Sequence, residues 1–310
     1  MLHLRLIVPA HRSAEIVEVL CRAVGVTHIL SMPGAAVEPA GDLVEADVTR
    51  EAANDVLSTL IDAGLPSHGS ITMEPLDTVL SDAADKAERD APGDPDDAVV
   101  WEELLRRTRE EATLSVTFVA FLALACLIAA VGVVTDSPVT VVGAMVVGPE
   151  FGPLAGVAVA IARRRFDLAR RSVLALLVGF PVAMVVTGIG ALAAEATGLL
   201  EITDVTAANQ VDFIYQVGAF SFVVALLAGA AGMLSLVSSR SAVLVGVFIS
   251  VTTVPAAGYA VIAATLGQWT VAAESTLQLG VNMVGVVLAG VAVLTVHRAR
   301  GRRAAPRADL

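Results

Sequence analysis

Residues 141–162 read VVGAMVVGPEFGPLAGVAVAIA and lead directly into Arg163, Arg164 and Arg165. About 20 predominantly apolar residues carry a helix across a bilayer, so the stretch is long enough to span one. Near its middle, Gly148-Pro149-Glu150-Phe151-Gly152-Pro153 sets two prolines, two glycines and a carboxylate. Proline removes a backbone donor and clashes with the preceding turn, so the spacing predicts a helix that breaks in mid-membrane. Irregular backbone at that depth persists only where protein buries it or water reaches it. The stretch therefore predicts a polytopic membrane body able to receive a broken helix.

Working outward, the pattern repeats. Ala112–Thr135 carries no charge, and Ser137–Ala162 is interrupted only by Glu150. Ser172–Ala194, Phe213–Ser239, Ser241–Ala273 and Ser275–Val296 follow, each uncharged. One such run fits a buried soluble helix, but six do not, so six spans are expected over residues 112–296. The fifth run is long enough to include an exterior loop near Gln268–Trp269. With 56% apolar and 16% charged residues, the composition excludes a soluble enzyme, a disordered chain and a disulfide scaffold. Cys21 and Cys126 are too few for a disulfide framework.

Orientation follows from arginine placement. Beyond Arg109 the basic residues lie in three places: Arg163 to Arg171, Arg240, and Arg298 to Arg307. The alternate loops, at Asp136, Glu195–Asp212 and Gln268–Glu274, hold no Lys or Arg. Six crossings with both termini in the cytoplasm place every basic residue inside. Met1–Pro9 lacks a cleavable signal pattern, so the first span is expected to direct insertion.

The two halves of the body resemble each other. Residues 244–264 read LVGVFISVTTVPAAGYAVIAA and align with the broken second span, Gly143 on Gly246, Pro153 on Pro255 and Gly156 on Gly258. Ser172, Leu174 and Leu176 match Ser275, Leu277 and Leu279, and Pro138 falls on Ser241. Each half holds an odd number of spans, so the expected architecture is a 3+3 inverted repeat with interrupted second and fifth helices. Paired Gly/Pro-interrupted segments in corresponding positions point to a transporter binding site.

The first 111 residues differ in kind, with 22 acids against 9 bases, where residues 112–310 hold 9 against 11. An acidic head on an apolar body argues against a nucleic-acid partner. Apolar alternation over Leu2–Val8 and Leu43–Val48, a strand at Val26–Met32 ending in a Pro33–Gly34 turn, and one at Ser70–Glu74 enclose helical spacing at Ser13–Ala23 and Glu51–Ala63. That order is the ferredoxin-like α+β unit, expected over residues 1–80 on the cytoplasmic side. Its role is folding, assembly or ligand sensing. Residues 81–98 are charged and contain Pro and Gly, which predicts a flexible acidic linker, and 99–111 a juxtamembrane helix. Residues 297–310 form a basic tail. His3, His11, His28 and His68 show no zinc spacing and read as scattered surface residues.

No phosphate loop, nucleophile elbow or Ser/His/Asp set appears in the chain, so neither an enzyme nor a cofactor is expected. Glu150 is the one acidic residue well inside a span. A charge at the bilayer centre costs about 2.5–3.5 kcal/mol on insertion scales and normally faces a cavity or a partner. It serves either as a cation or proton site or as a structural cap on the helix that follows. If the halves are inverted, the two breaks meet. Gly148, Pro149, Glu150, Gly152 and Pro153 then face Thr252, Thr253 and Pro255, with Asn282 of the sixth span nearby.

The motif GAMVVGPEFGPL followed by an arginine-rich loop, below an acidic head, resembles a bacterial family described as domain of unknown function 389. Gly143-Ala144-Met145 and Gly148-Pro149 through Gly152-Pro153 carry the resemblance, which extends best from Thr113 to about Val254. It implies the membrane architecture and the bacterial cytoplasmic membrane, and names no substrate. Glu150 departs from the pattern, since the residue after the first proline is usually apolar in the family. The expected function is a transporter-like or channel-like protein for a small solute or ion. The alternative is a membrane scaffold or sensor whose head binds a ligand. The lipid bilayer is the one expected partner besides that solute, and homo-oligomer formation is left open.

Overall fold

The computed structural model describes residues 1–94, 98–198, 218–238 and 252–304. Two compact units emerge, one over Met1–Glu103 with the C-terminal residues and one over Leu104–Val296.

In the first unit, strands β1 (Leu2–Val8), β2 (Val26–Val37), β3 (Ala40–Val48) and β4 (Ser70–Pro75) form one antiparallel sheet in the order β2-β3-β1-β4. Helix α1 (Ser13–Arg22) connects β1 to β2, and α2 (Arg50–Asp62) with the single turn α3 (Leu65–His68) connects β3 to β4. Alternation turns Leu2, Leu4, Leu6 and Val8 of β1 and Val44, Ala46 and Val48 of β3 to one face. There they meet Ile16 and Leu20 of α1 and Val56, Leu57 and Leu60 of α2 in one core. Each buried aliphatic side chain contributes about 1.5–3 kcal/mol. Thr49 caps α2, its Oγ1 accepting from Ala52 N at 3.4 Å, and Gly64 stops the helix at φ 73°.

Two expectations for this unit are altered. Strand β2 does not end at Pro33–Gly34. It continues to Val37 through an irregular register between Met32 and Ala36, and Gly34 N donates to the Asp42 carboxylate at 2.8 Å. Proline is tolerated there because β2 is an edge strand. The stretch read as a flexible linker contains helix α4 (Asp82–Asp90), capped by Ser81 and burying Ala84 and Ala87. Six charged residues cover its exposed side, which is why composition alone reads it as tether. On the open face of the sheet, His3 Nδ1 and His28 Nδ1 lie 2.8 and 2.7 Å from the two Asp47 oxygens, so these two histidines are not scattered.

Helix α5 (Trp101–Glu111) precedes the second unit's spans. Then come α6 (Val116–Val134), α7 (Pro138–Val147), α8 (Phe151–Arg163), α9 (Phe166–Ala196), α10 (Ala219–Val237), α11 (Thr253–Thr265) and α12 (Trp269–Ala304). Four of these, α6, α9, α10 and α12, are long and apolar enough to cross a membrane, and α7 with α8 forms a fifth candidate bent by 53°. The expected fifth span falls partly on residues 241–251, outside the described residues; its second part is α11. Serines at helix starts supply caps: Ser115 accepts from Phe118 N at 3.0 Å and Ser137 from Thr140 N at 3.4 Å.

Small residues set the packing. Glycine permits backbones to approach closely where lipid supplies no hydrophobic driving force. A Cβ on Gly179 of α9 would sit 2.8 Å from Phe118 of α6, and one on Gly229 of α10 2.6 Å from Val286 Cα of α12. The opposite faces are apolar and open, with Leu177, Val185 and Ile189 of α9 more than 60% exposed. Apolar surface that extensive marks a face for lipid or another apolar partner.

Candidate functional site

The break between α7 and α8 occupies Gly148–Glu150. Helix α7 closes with Gly148 N donating to Ala144 O at 3.2 Å, and α8 opens with Leu154 N donating to Glu150 O at 3.2 Å. Between them Pro149 has no N–H to offer, and Pro153 repeats the deficit one turn on. Helix α11 opens in the same manner, with Ala256 N donating to Thr252 O at 3.2 Å and a proline as its third residue.

These two helix starts touch. Thr253 Oγ1 donates to Glu150 Oε1 at 2.6 Å, and both residues are buried, Glu150 being 6% exposed. A Cβ on Gly148 would collide with Glu150 Oε2 and come within 2.8 Å of Val254 Cγ2, so glycine alone allows the approach. From α12, Asn282 Nδ2 donates to Thr252 Oγ1 at 2.8 Å, and Gln278 Nε2 donates to Asn282 Oδ1 at 3.1 Å. The result is a polar chain from Gln278 through Asn282 to Thr252, beside the adjoining Thr253–Glu150 pair. A buried polar group costs several kcal/mol unless it is hydrogen-bonded, and the network meets most of that requirement.

Of the residues singled out in the sequence, Gly148, Glu150, Thr252, Thr253 and Asn282 come together at this crossing. Pro149, Pro153 and Pro255 terminate or start the helices that carry the polar groups. Gly152 faces elsewhere, its Cα packed against Glu111, where a Cβ would lie 2.6 Å from Glu111 Cβ. Gln278 was not singled out as part of the site. Its signal was present, since it stands one helical turn before Asn282 on the same face. Ser172 and Ser275, matched in the sequence alignment, are both wholly buried, each with a hydroxyl oxygen that has no hydrogen-bond partner among the described residues.

Glu111, at the end of α5 and outside the spans, is held above the ordinary carboxylate range. Burial is the main cause; Arg107 works against it and Glu110 with it. No group of three or more His, Cys, Asp or Glu side chains among the described residues is arranged to hold a metal ion.

Several apolar helices of membrane-crossing length, one of them broken, define a multi-pass membrane protein. Residues 145–288 match the family model of the Domain of unknown function (DUF389). The match begins just before the first break and ends in α12 beyond Asn282, so it contains both helix starts of the crossing. No curated protein and no solved structure matches the chain.

Proposed function

We propose that the protein is a transporter-like or channel-like carrier of a small solute or ion in the bacterial cytoplasmic membrane, rather than an enzyme, with its site where the interrupted second and fifth spans cross. The observation that carries this reading is the Thr253–Glu150 hydrogen bond, which joins residues 103 positions apart at the starts of two short helices. Buried polar groups on interrupted helices are the usual means by which membrane carriers bind solutes near the midplane.

The element boundaries support the inverted 3+3 repeat. Helices α6 and α10 are both 19 residues long and begin 103 residues apart, counting α10 from Ala219. Helices α8 and α11 are both 13 residues long with proline third. The turns that follow them match: Arg165 N donates to Ala160 O, and Gln268 N to Ala263 O, both at 2.9 Å. Each unit then holds three spans, and an odd number inverts the second against the first. Six spans with cytoplasmic termini remain the topology that the arginine distribution favours. The strand and helix order of the head, with β1 and β3 central, supports the ferredoxin-like assignment.

The test needs no known substrate. Cysteines introduced at Phe151 and Thr253 in a Cys126→Ser background are expected to cross-link with a short bifunctional reagent in membranes. In sealed liposomes, Glu150→Gln is expected to alter flux in a solute screen. Failure to cross-link removes the crossing and leaves the scaffold or sensor reading in front.

A further inference from the structure

The polar network at the crossing is satisfied on one side only. Glu150 Oε2 is buried and has no hydrogen-bond partner among the described residues, and neither has Gln278 Oε1. The Thr253 hydroxyl donates to Glu150, the Asn282 amide to Thr252 and the Gln278 amide to Asn282. The two buried side-chain atoms left bare in this network are both acceptors, which a cation satisfies.

The backbone adds more of the same. An α-helical carbonyl is normally met by the N–H four residues on. Residue 149 is proline, so the Met145 carbonyl lacks that donor; residue 153 is proline, so the Pro149 carbonyl lacks it as well. Two backbone oxygens freed by covalent chemistry thus flank Glu150 in sequence. Gly148 lets the carboxylate lie directly against the backbone, with Oε2 where a Cβ would otherwise sit.

Charge decides between the signs. The starts of α8 and α11 each present about half a positive charge, and the end of α7 about half a negative one. Glu150 in its ionised form outweighs the two helix starts once α7 is included, leaving the site mildly negative. The spans contribute no Lys, Arg or His to offset it. A net charge of that size suits one monovalent cation and repels an anion.

We propose that the break in the second span binds a monovalent alkali cation on Glu150 Oε2, with the Met145 and Pro149 carbonyls as neighbouring ligands, and that this cation is the transported or coupling ion. The proposal rests on the reading of the crossing as a transport site and names what that site takes. Sodium and half-helix carbonyls are a recurrent pairing in discontinuous membrane helices, for the same electrostatic reason.

The test uses the full chain, purified in nanodiscs. Thermal unfolding is followed in sodium, potassium or lithium chloride against N-methylglucamine chloride at equal ionic strength and pH. A saturable rise in Tm with at least one alkali cation is expected, since a ligand that binds only the folded state stabilises it. Glu150→Gln keeps an oxygen for the Thr253 hydroxyl and is expected to abolish the rise. Glu150→Asp withdraws the carboxylate by one methylene and is expected to raise the half-saturating concentration by about tenfold, the loss typical of a disturbed ligand set; it decides the matter if the Gln variant does not fold. A wild-type Tm indifferent to alkali cations, a response to pH alone, or an undiminished response in Glu150→Gln overturns the proposal. If the Phe151–Thr253 cross-link forms while no cation response is seen, the cation falls and the crossing stands. If the cross-link fails, the transport reading falls independently of the cation result.

Discussion

Replacing Thr253 by valine removes the hydroxyl that, among the described residues, reaches Glu150, and changes little else, because the two side chains share a shape. Thr253 is wholly buried, and its Oγ1 lies 2.6 Å from Glu150 Oε1. Hydrogen bonds to charged groups contribute about 1.5–3 kcal/mol in soluble proteins. Within membrane bundles the measured average is about 0.6 kcal/mol, with a maximum near 1.7. Glu150 Oε2 already lacks a partner, so the substitution strips the carboxyl of its remaining side-chain donor. We therefore expect the upper end of the membrane range, about 1.5 kcal/mol, or roughly a tenfold fall in the folded-to-unfolded ratio. Reversible unfolding in mixed micelles measures this directly, in the wild-type and in the Glu150→Leu background. With the carboxyl gone, Thr253→Val is expected to cost less than about 0.5 kcal/mol, and the difference is the coupling between the two residues. Equal costs in the two backgrounds would refute the assignment of this bond as the tie between the two helix starts.

Three other outcomes follow from the packing. Gly258→Ala would bring a Cβ to 2.9 Å from Ala129 Cβ and 3.1 Å from the Cys126 carbonyl, and is expected to destabilise by about 1–3 kcal/mol. Gly143→Ala meets nothing within 4 Å and is expected to be neutral or to stabilise α7 by up to about 1 kcal/mol, so the pair separates packing from propensity in one melting experiment. Because burial holds the Glu111 carboxyl above its ordinary 4.5, the folded state keeps its proton longer than the unfolded chain does. The resulting stability is present at low pH and is lost as pH rises through the raised value. Glu111→Gln should therefore melt higher than wild type near neutrality and lose that advantage below pH 4.5; an advantage independent of pH would contradict the sign. A fragment of residues 1–103 should unfold cooperatively and outlast residues 1–80, because the longer one retains α4 and the buried Val100; identical midpoints would show that these contribute nothing.

How much of this was legible depended on the kind of signal. The break was readable because Pro149 and Pro153 act through covalent chemistry, which no tertiary context removes. The approach of Glu150 to Thr253 was readable because Pro153 and Pro255 align the two segments, which led the sequence reading to set Gly148–Pro153 against Thr252–Pro255. Gln278 escaped because its i,i+4 pairing with Asn282 acquires a role only once Asn282 and Thr252 are adjacent in space. Gly152 reads like its neighbour Gly148, yet the two face different residues, a distinction set by helix rotation and invisible to composition. Helix α4 was hidden because its buried face consists of two alanines, too small a signal beside its charged residues. The Pro33–Gly34 pair has the form of a turn, but the edge position of β2 lets the strand absorb it.

The 103-residue separation of Glu150 and Thr253 has a consequence for biosynthesis. Chains grow at about 5–20 residues per second, so the second span emerges roughly 5–20 seconds before its hydroxyl donor exists. Throughout that interval an acidic side chain must reside at the insertion machinery or in lipid without its eventual companion. The tight turn at Thr135–Ser137 lets α6 and α7 enter as one hairpin, which brings the awkward segment in on the strength of its apolar neighbour. The carboxyl acquires its hydroxyl donor only once Thr253 has been made and has reached it. Truncations ending before residue 252 should be degraded even though every residue of the first half has been made.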